Sequence, residues 1–334
     1  MAGLRGGIRK LHLLGSGLLL AADETVPDVP VGAETVALTV VDPVGGQAVV
    51  EGVMMRAPGG VGLAVRLSDG SIHAEFHDHT PWRRRLAPLA WPVVRGAAAM
   101  LEALSLGVKM LDRSLELATG ERSGKAESAF SLLFGLLIAV VLFMVLPAWI
   151  HGQTPLAWHP LARAAVEGGV RLGLFVGYVA LLGRHAEVAT LYAYHGAEHQ
   201  VIHAHEAGLG ETVEAARGQS PRHPRCGTSF LFLTAVVGIV VFALIPRPEG
   251  IEGALALGWR VGAKLLLLPV VAGLSFELIR AAGRGNRPGA GVLPRLALSL
   301  TAPGQWLQRL TTMRAQDGQL EVAVAALAVT RRGR

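Results

Sequence analysis

The chain has 334 residues, 51% of them hydrophobic and only 17% charged, with a mean hydropathy of +0.44, so much of its apolar surface faces something other than water. Its single cysteine, Cys226, excludes an intramolecular disulfide framework. The 31 basic against 25 acidic residues leave a formal charge of +6, which would point to nucleic acid only if the placement of the charges agreed.

Residues 1–35 read as a flexible leader: the stretch after Arg5, Arg9 and Lys10 imitates a signal peptide, but it is short and broken by Gly15, Ser16 and Gly17. A small antiparallel β region is expected over 36–90, from the runs VALTVV, AVVEGVMMR, GLAVRL and SIHAEF, with Asp69-Gly70 as the turn between the last two. Gly45, Gly46 and Gly52 match no phosphate or dinucleotide loop; they read as tight turns and a bulge, or as a close approach of the backbone to a ligand. His73, His77 and His79 alternate with Glu75 on one strand face, which reads as solvated polar surface. From 91 to 127 the period changes: Val93, Ala97, Met100, Leu104, Val108 and Leu115 recur at helical spacing, as in an amphipathic helix lying on a membrane or on spanning helices.

Four spans follow, at about 130–150, 165–183, 228–246 and 260–279. The first and third carry no charge. Glu167 and Arg171 in the second, and Lys264 and Glu277 in the fourth, lie towards the span ends, where such side chains snorkel to the interface. Between the middle spans lies a histidine-rich segment, 184–227. After the last span, 282–334 reads as a linker and a C-terminal region with helical patterns at 304–314 and 319–329. The fold class expected is therefore a mainly α polytopic membrane protein with a small antiparallel β region and a helical C-terminal region. Lys and Arg concentrate before the first span, in 184–227 and in the tail. By the positive-inside rule these segments and both termini are cytoplasmic, on the bacterial cytoplasmic (inner) membrane. The basic excess is then a matter of topology. The expected partners are membrane lipid and a protein at the cytoplasmic face, with no nucleic acid and no reading of the oligomeric state.

Five of the twelve histidines fall between residues 195 and 223, and the first two stand in His195-Gly196-Ala197-Glu198-His199, the H-x-x-E-H pattern. On a helix, positions i and i+4 share a face, so both imidazoles reach one metal ion, with zinc or another divalent transition metal the expected cofactor. Glu198, beside them, is the candidate catalytic base for water. His203 and Glu206 extend the stripe, but His195 and His203 are about 12 Å apart along a straight helix, too far to share one ion. They belong to a supporting shell or to a second metal. A third ligand comes from elsewhere: Glu277, His223 and Cys226 all fall at the cytoplasmic depth of the His195 helix.

The blocks GGQAVVEGVMMR (45–56), YHGAEHQVIHAHE (194–206), HPRCGTSF (223–230), SFELIR (275–280) and PGQWLQRLTTMRAQDGQLEVAVAAL (303–327) together resemble the YqhQ-like family of uncharacterised bacterial membrane proteins, described as predicted metal-dependent enzymes. The resemblance covers roughly 41–327 and implies a membrane protein with a metal site; His73, His77 and His79 lie outside its motifs. The leading functional expectation is a membrane-embedded, metal-dependent hydrolase, by analogy a peptidase or amidase, with its site at the cytoplasmic face. A non-enzymatic scaffold that binds a partner or anionic lipid and keeps a structural histidine site is the second. A metal or small-solute transporter is the third, since the two clearest spans carry no charged group.

Overall fold

Residues 44–121, 124–155, 157–246, 250–283 and 291–333 are described by the computed structural model. The expected leader, the run VALTVV and most of the linker lie outside them. Four strands open the described chain: β1 (Gly45–Val49), β2 (Gly52–Ala57), β3 (Gly60–Arg66) and β4 (Ile72–Asp78), antiparallel in the order β1-β2-β3-β4. The run AVVEGVMMR is two strands and not one. Val49 pairs with Gly52, the chain reverses through Val50 and Glu51, and Glu51 adopts a positive φ of 48°. Glycine is required at 52, because a Cβ there would press on the Ala64 carbonyl. Asp69-Gly70 does turn the chain between β3 and β4, with Gly70 at φ 84°.

The short helix α1 (Trp82–Arg85) leads into α2 (Val94–Thr119), which ends at Gly120 in the left-handed conformation. The helix α3 (Lys125–Val140) passes through a π-turn at Val141–Val145 into α4 (Leu146–Gln153). Then come α5 (Pro160–Leu182), α6 (Ala186–Glu206), the short α7 (Val213–Arg217), α8 (Gly227–Ala243), α9 (Gly253–Ala282), α10 (Val292–Thr311) and α11 (Asp317–Arg332).

The sheet is covered on both faces, and strand alternation decides what meets what. Val61, Leu63 and Val65 of β3, with Met54 of β2, point to α2, where Met110, Leu106 and Leu117 close over them. Val53, Met55 and Ala64 point the other way, to Ala197 and Val201 of α6 and Leu320, Ala323 and Leu327 of α11. Gly62 lets α11 come close, since a Cβ would run into Ala326 and Thr330. The N-terminal β region and the C-terminal helix thus share one core.

Among the described residues, three helices are long and apolar enough to cross a membrane: Ala126–Gln153, Pro160–Leu182 and Gly253–Ala282. The expected third span, 228–246, begins in a shorter apolar helix, α8, Gly227–Ala243. Glu167, Arg171 and Lys264 do not snorkel outward. Glu167 and Lys264 are 2% and 0% exposed and pair with each other, while Arg171 Nη2 reaches Glu167 at 2.7 Å and His151 Nδ1 and Arg260 Nε stand 3.4 and 3.5 Å from the same carboxylate. Lys264 sits eleven residues into α9, about 16 Å along it, too deep for its head to reach an interface easily. The π-turn belongs to this cluster. Pro147 has no N–H to give the Phe143 carbonyl four residues before it, and Arg171 Nε donates to that carbonyl at 2.7 Å instead.

Candidate metal centre

The helix α6 presents His195 and His199 one turn apart, with ring centroids 4.5 Å from each other. Each ring is fixed from behind. His195 Nδ1 donates to the Thr311 carbonyl at 2.9 Å, and His199 Nδ1 donates to the Pro221 carbonyl at 2.6 Å. A carbonyl accepts only from a protonated nitrogen, so both rings carry their proton on Nδ1 and leave the Nε2 lone pairs free. Cys226 completes the group: its Sγ is 3.2 Å from His195 Nε2, and one donor atom from each of His195, His199 and Cys226 lies within 4.8 Å of the others. Zinc legs of about 2.0–2.3 Å place tetrahedral ligands about 3.3–3.8 Å apart, so these three side chains fit one ion with small adjustments. Cys226 is also the N-cap of α8, at the positive end of that helix's dipole.

The three donors line a cavity of about 120 Å³, together with Glu198, His223 and Arg225. Glu198 is 5% exposed, and burial pushes its carboxyl up to about 7 against the opposing influence of His195 and the Gly46 backbone amide. The glycine at 46 is a close-approach position: an added Cβ would fall 2.8 Å from Glu198 Cγ and 2.7 Å from the Met54 carbonyl oxygen. Gly46 lies within β1 and not in a turn, and what its backbone approaches closely is the Glu198 side chain. A second glycine, Gly196, lets α6 lie against the backbone at Met313, where any Cβ would collide with the carbonyl.

The other expected ligands are placed elsewhere. Glu277 does not join the centre: Arg95 of α2 forks onto it, Nε to Oε1 at 2.6 Å and Nη2 to Oε2 at 2.5 Å, which occupies both oxygens and ties α2 to α9. His223 lines the cavity, but its Nε2 faces Glu206 at 3.4 Å and its Nδ1 accepts from the Arg225 N–H at 3.2 Å, so it stands beside the three donors and not among them. Burial holds His223 below the ordinary histidine value, with Glu206 pulling the other way. His203 Nε2 donates to the Arg222 carbonyl at 2.9 Å, and its ring leans on His223 at 4.6 Å. Glu206 pairs with Arg225. These residues form a supporting shell on the 222–225 loop. His73 and His77 flank Glu75, which Arg113 of α2 clasps through Nε and Nη2 at 2.9 Å each, and His79 pairs with buried Glu102. That row is a half-buried clamp between β4 and α2 and not a solvated face.

One positioning residue escapes a reading of the sequence. Gln308 of α10 is fully buried; its Oε1 accepts from the His223 N–H and its Nε2 donates to the His223 carbonyl, both at 2.8 Å, and to Ser229 Oγ at 3.1 Å. It fixes the loop that delivers Cys226. The signal is present only as a polar residue among the apolar positions of PGQWLQRL.

Residues 91–332 match the family model described as "Protein of unknown function (DUF1385)", a span that holds all three donors and Glu198. The chain belongs to this family. Within the DUF1385 family it is similar to "Uncharacterized protein YqhQ" of Bacillus subtilis (strain 168), 35% identical over 301 residues that cover 84% of this chain and 89% of that protein. No solved structure matches the chain.

Proposed function

We propose that the protein is a metal-dependent hydrolase of the bacterial cytoplasmic (inner) membrane, with its site on the cytoplasmic side. The observation that carries the reading is that His195, His199 and Cys226 each bring a donor atom within 4.8 Å of the others, with both Nδ1 atoms engaged by backbone carbonyls, on a cavity also lined by Glu198. Two imidazoles and a thiolate suit zinc, or another divalent transition metal, better than oxygen-preferring ions. Three protein donors beside an open cavity follow the pattern of catalytic sites, whereas a structural site closes with four. That distinction favours an enzyme over a scaffold with a metal staple.

When bound, the metal would supply Lewis-acid polarisation of a carbonyl and of water. The protein's own part falls to Glu198. Its carboxylate takes a proton from the attacking water as the new C–O bond forms, and returns it to the leaving nitrogen as the C–N bond breaks. Peptide or amide substrates are the natural class for this chemistry. Arg225, paired with Glu206 at the edge of the cavity, is placed to meet an anionic group of such a substrate. Lys and Arg lie on the segments that carry the site, which supports its cytoplasmic orientation and cytoplasmic termini.

The test is metal analysis of the purified full-length protein. Stoichiometric metal is expected in wild type and in Glu277→Gln, and its loss in His195→Ala, His199→Ala and Cys226→Ser. Glu198→Gln should keep the metal and lose hydrolysis of a peptide and amide panel. Equal metal in wild type and the histidine variants would sink the proposed centre; turnover undiminished in Glu198→Gln would sink the assigned base.

A further inference from the structure

Two helices far apart in sequence, α2 and α10, carry large apolar residues on their outer faces and bury mainly small and polar ones. On α2 the buried residues are Gly96, Ala98, Glu102, Gly107, Met110 and Ser114, with Leu106 and Leu117 partly buried over the sheet, while Leu101, Leu104 and Leu111 point away from the fold, 53%, 59% and 41% exposed. On α10 the buried residues are Ala297, Thr301, Gly304, Leu307, Gln308 and Thr311, and Val292, Leu293, Leu296 and Trp306 are exposed. A helix bathed in water turns its leucines inward. Helices in lipid pack through small residues and leave large apolar ones outside, because lipid tails are as apolar as leucine.

Both helices sit at one end of the bundle. Gly96 of α2 rests against Gly273 and Phe276 in the last third of α9, and Gly304 of α10 rests against Ser229 in the first turn of α8. This is also the end at which Cys226 caps α8. Just before α2, Arg83, Arg84 and Arg85 are exposed, followed by exposed Leu86 and Trp91. Arginine beside tryptophan and leucine is the composition of an element that lies in an anionic headgroup layer.

We propose that α2 and α10 form an interfacial collar in the bilayer. Their leucine faces lie at the headgroup–acyl boundary, Arg83, Arg84 and Arg85 meet anionic lipid phosphates, and the sheet with its metal centre is held flush against the membrane. The occupant of these faces is lipid and not a second copy of the chain, because two unrelated helices expose large apolar residues at the same end of a bundle of span-length helices, and because the arginine triplet complements an anionic surface. The inference rests on the membrane reading above.

The experiment uses full-length protein reconstituted into vesicles of phosphatidylglycerol and phosphatidylcholine brominated near the headgroup end of the chains. Tryptophan quenching is compared between wild type, Trp91→Phe and Trp306→Phe. Each substitution should remove a quenched component of the emission. In Arg83→Glu/Arg84→Glu/Arg85→Glu the extra quenching of Trp91 in anionic over zwitterionic vesicles should disappear. Protein that resists carbonate extraction while Trp91 and Trp306 stay unquenched would overturn the collar alone, and cross-links between the outward faces of two chains would then identify a second copy as the occupant. Release of the protein by carbonate would overturn the membrane reading and the collar with it.

Discussion

Gly46 shows how closely single residues define the centre. A methyl group there would overlap the Met54 carbonyl and the Glu198 side chain, while a methyl group on Gly45, one residue earlier, would meet nothing within 4 Å. Overpacking of this kind costs about 1–3 kcal/mol. Gly46→Ala should therefore lower the thermal midpoint and displace Glu198, with reduced hydrolysis, whereas Gly45→Ala should do neither; equal behaviour of the two variants would show that the close approach is unimportant. Glu75 allows a prediction in pH. Arg113 holds its carboxyl down at about 2, assisted by His73 and His77, against an ordinary value of 4.5. A carboxylate whose folded pKa is depressed adds stability that is complete above the unfolded value and is lost as pH falls through the window from about 4.5 to about 2. Glu75→Gln should flatten the acid limb of the stability curve in that window and loosen β4 from α2. An unchanged acid limb, followed by circular dichroism from pH 6 to pH 2, would mean that the Arg113 clasp adds nothing.

At the scale of elements, hydrophobic runs and turn residues carry most of the fold, and interior polarity carries the rest. The apolar run at 130–150 falls within the helix Ala126–Gln153 and that at 165–183 ends one residue beyond Pro160–Leu182, and Asp69-Gly70 turns the chain where expected. The charged residues mislead because a sequence gives a residue's place along a helix and not the direction it faces. Glu167, Arg171 and Lys264 have the positions of span-end charges, yet the helices turn them towards one another. Likewise the period of α2 is visible in the sequence but not which leucines face inward: the sheet takes Leu106, Met110 and Leu117, while Leu101, Leu104 and Leu111 are on the outer side. A buried cluster of this kind has a clear signature on mutation. Glu167→Gln leaves Lys264 and Arg171 without their carboxylate inside an apolar bundle, which costs about 3–5 kcal/mol when a buried charge loses its partner. Removing one of the stranded cations as well, in Glu167→Gln/Lys264→Met, should recover part of that loss. Thermal unfolding of the detergent-solubilised protein measures both, and a double variant no more stable than the single one would contradict the pairing.

At the scale of the whole molecule, the centre is an assembly of distant segments: the start of β1 at Gly46, His195 to His199 on α6, the Pro221 to Cys226 loop, and the end of α10 at Thr311. The H-x-x-E-H spacing makes the α6 contribution legible, because helical geometry alone puts those side chains on one face. Cys226 is legible only as one of three candidates, and the carbonyls of Thr311 and Pro221 cannot be read at all, since any residue supplies a carbonyl and only the fold decides which one meets an imidazole. The same dependence on the fold predicts that residues far from the donors control metal retention. Leu320 and Leu327 of α11 are fully buried in the core shared with α6 and with Val53, Met55 and Ala64 of the sheet. Each leucine-to-alanine change in such a core costs about 2–5 kcal/mol, a large part of the roughly 5–15 kcal/mol that holds a domain together. Leu320→Ala/Leu327→Ala should free α11 from the back of α6, let His195 and His199 drift from Cys226, and lower bound metal well below stoichiometric, while the span-length helices keep their helicity because α11 packs chiefly on the sheet, α6 and α7. Metal analysis read beside limited proteolysis separates the outcomes: cleavage near α11 with metal lost is the expected pair, and full metal occupancy in a protein nicked at α11 would show that α6 and the 221–226 loop hold the centre without this support.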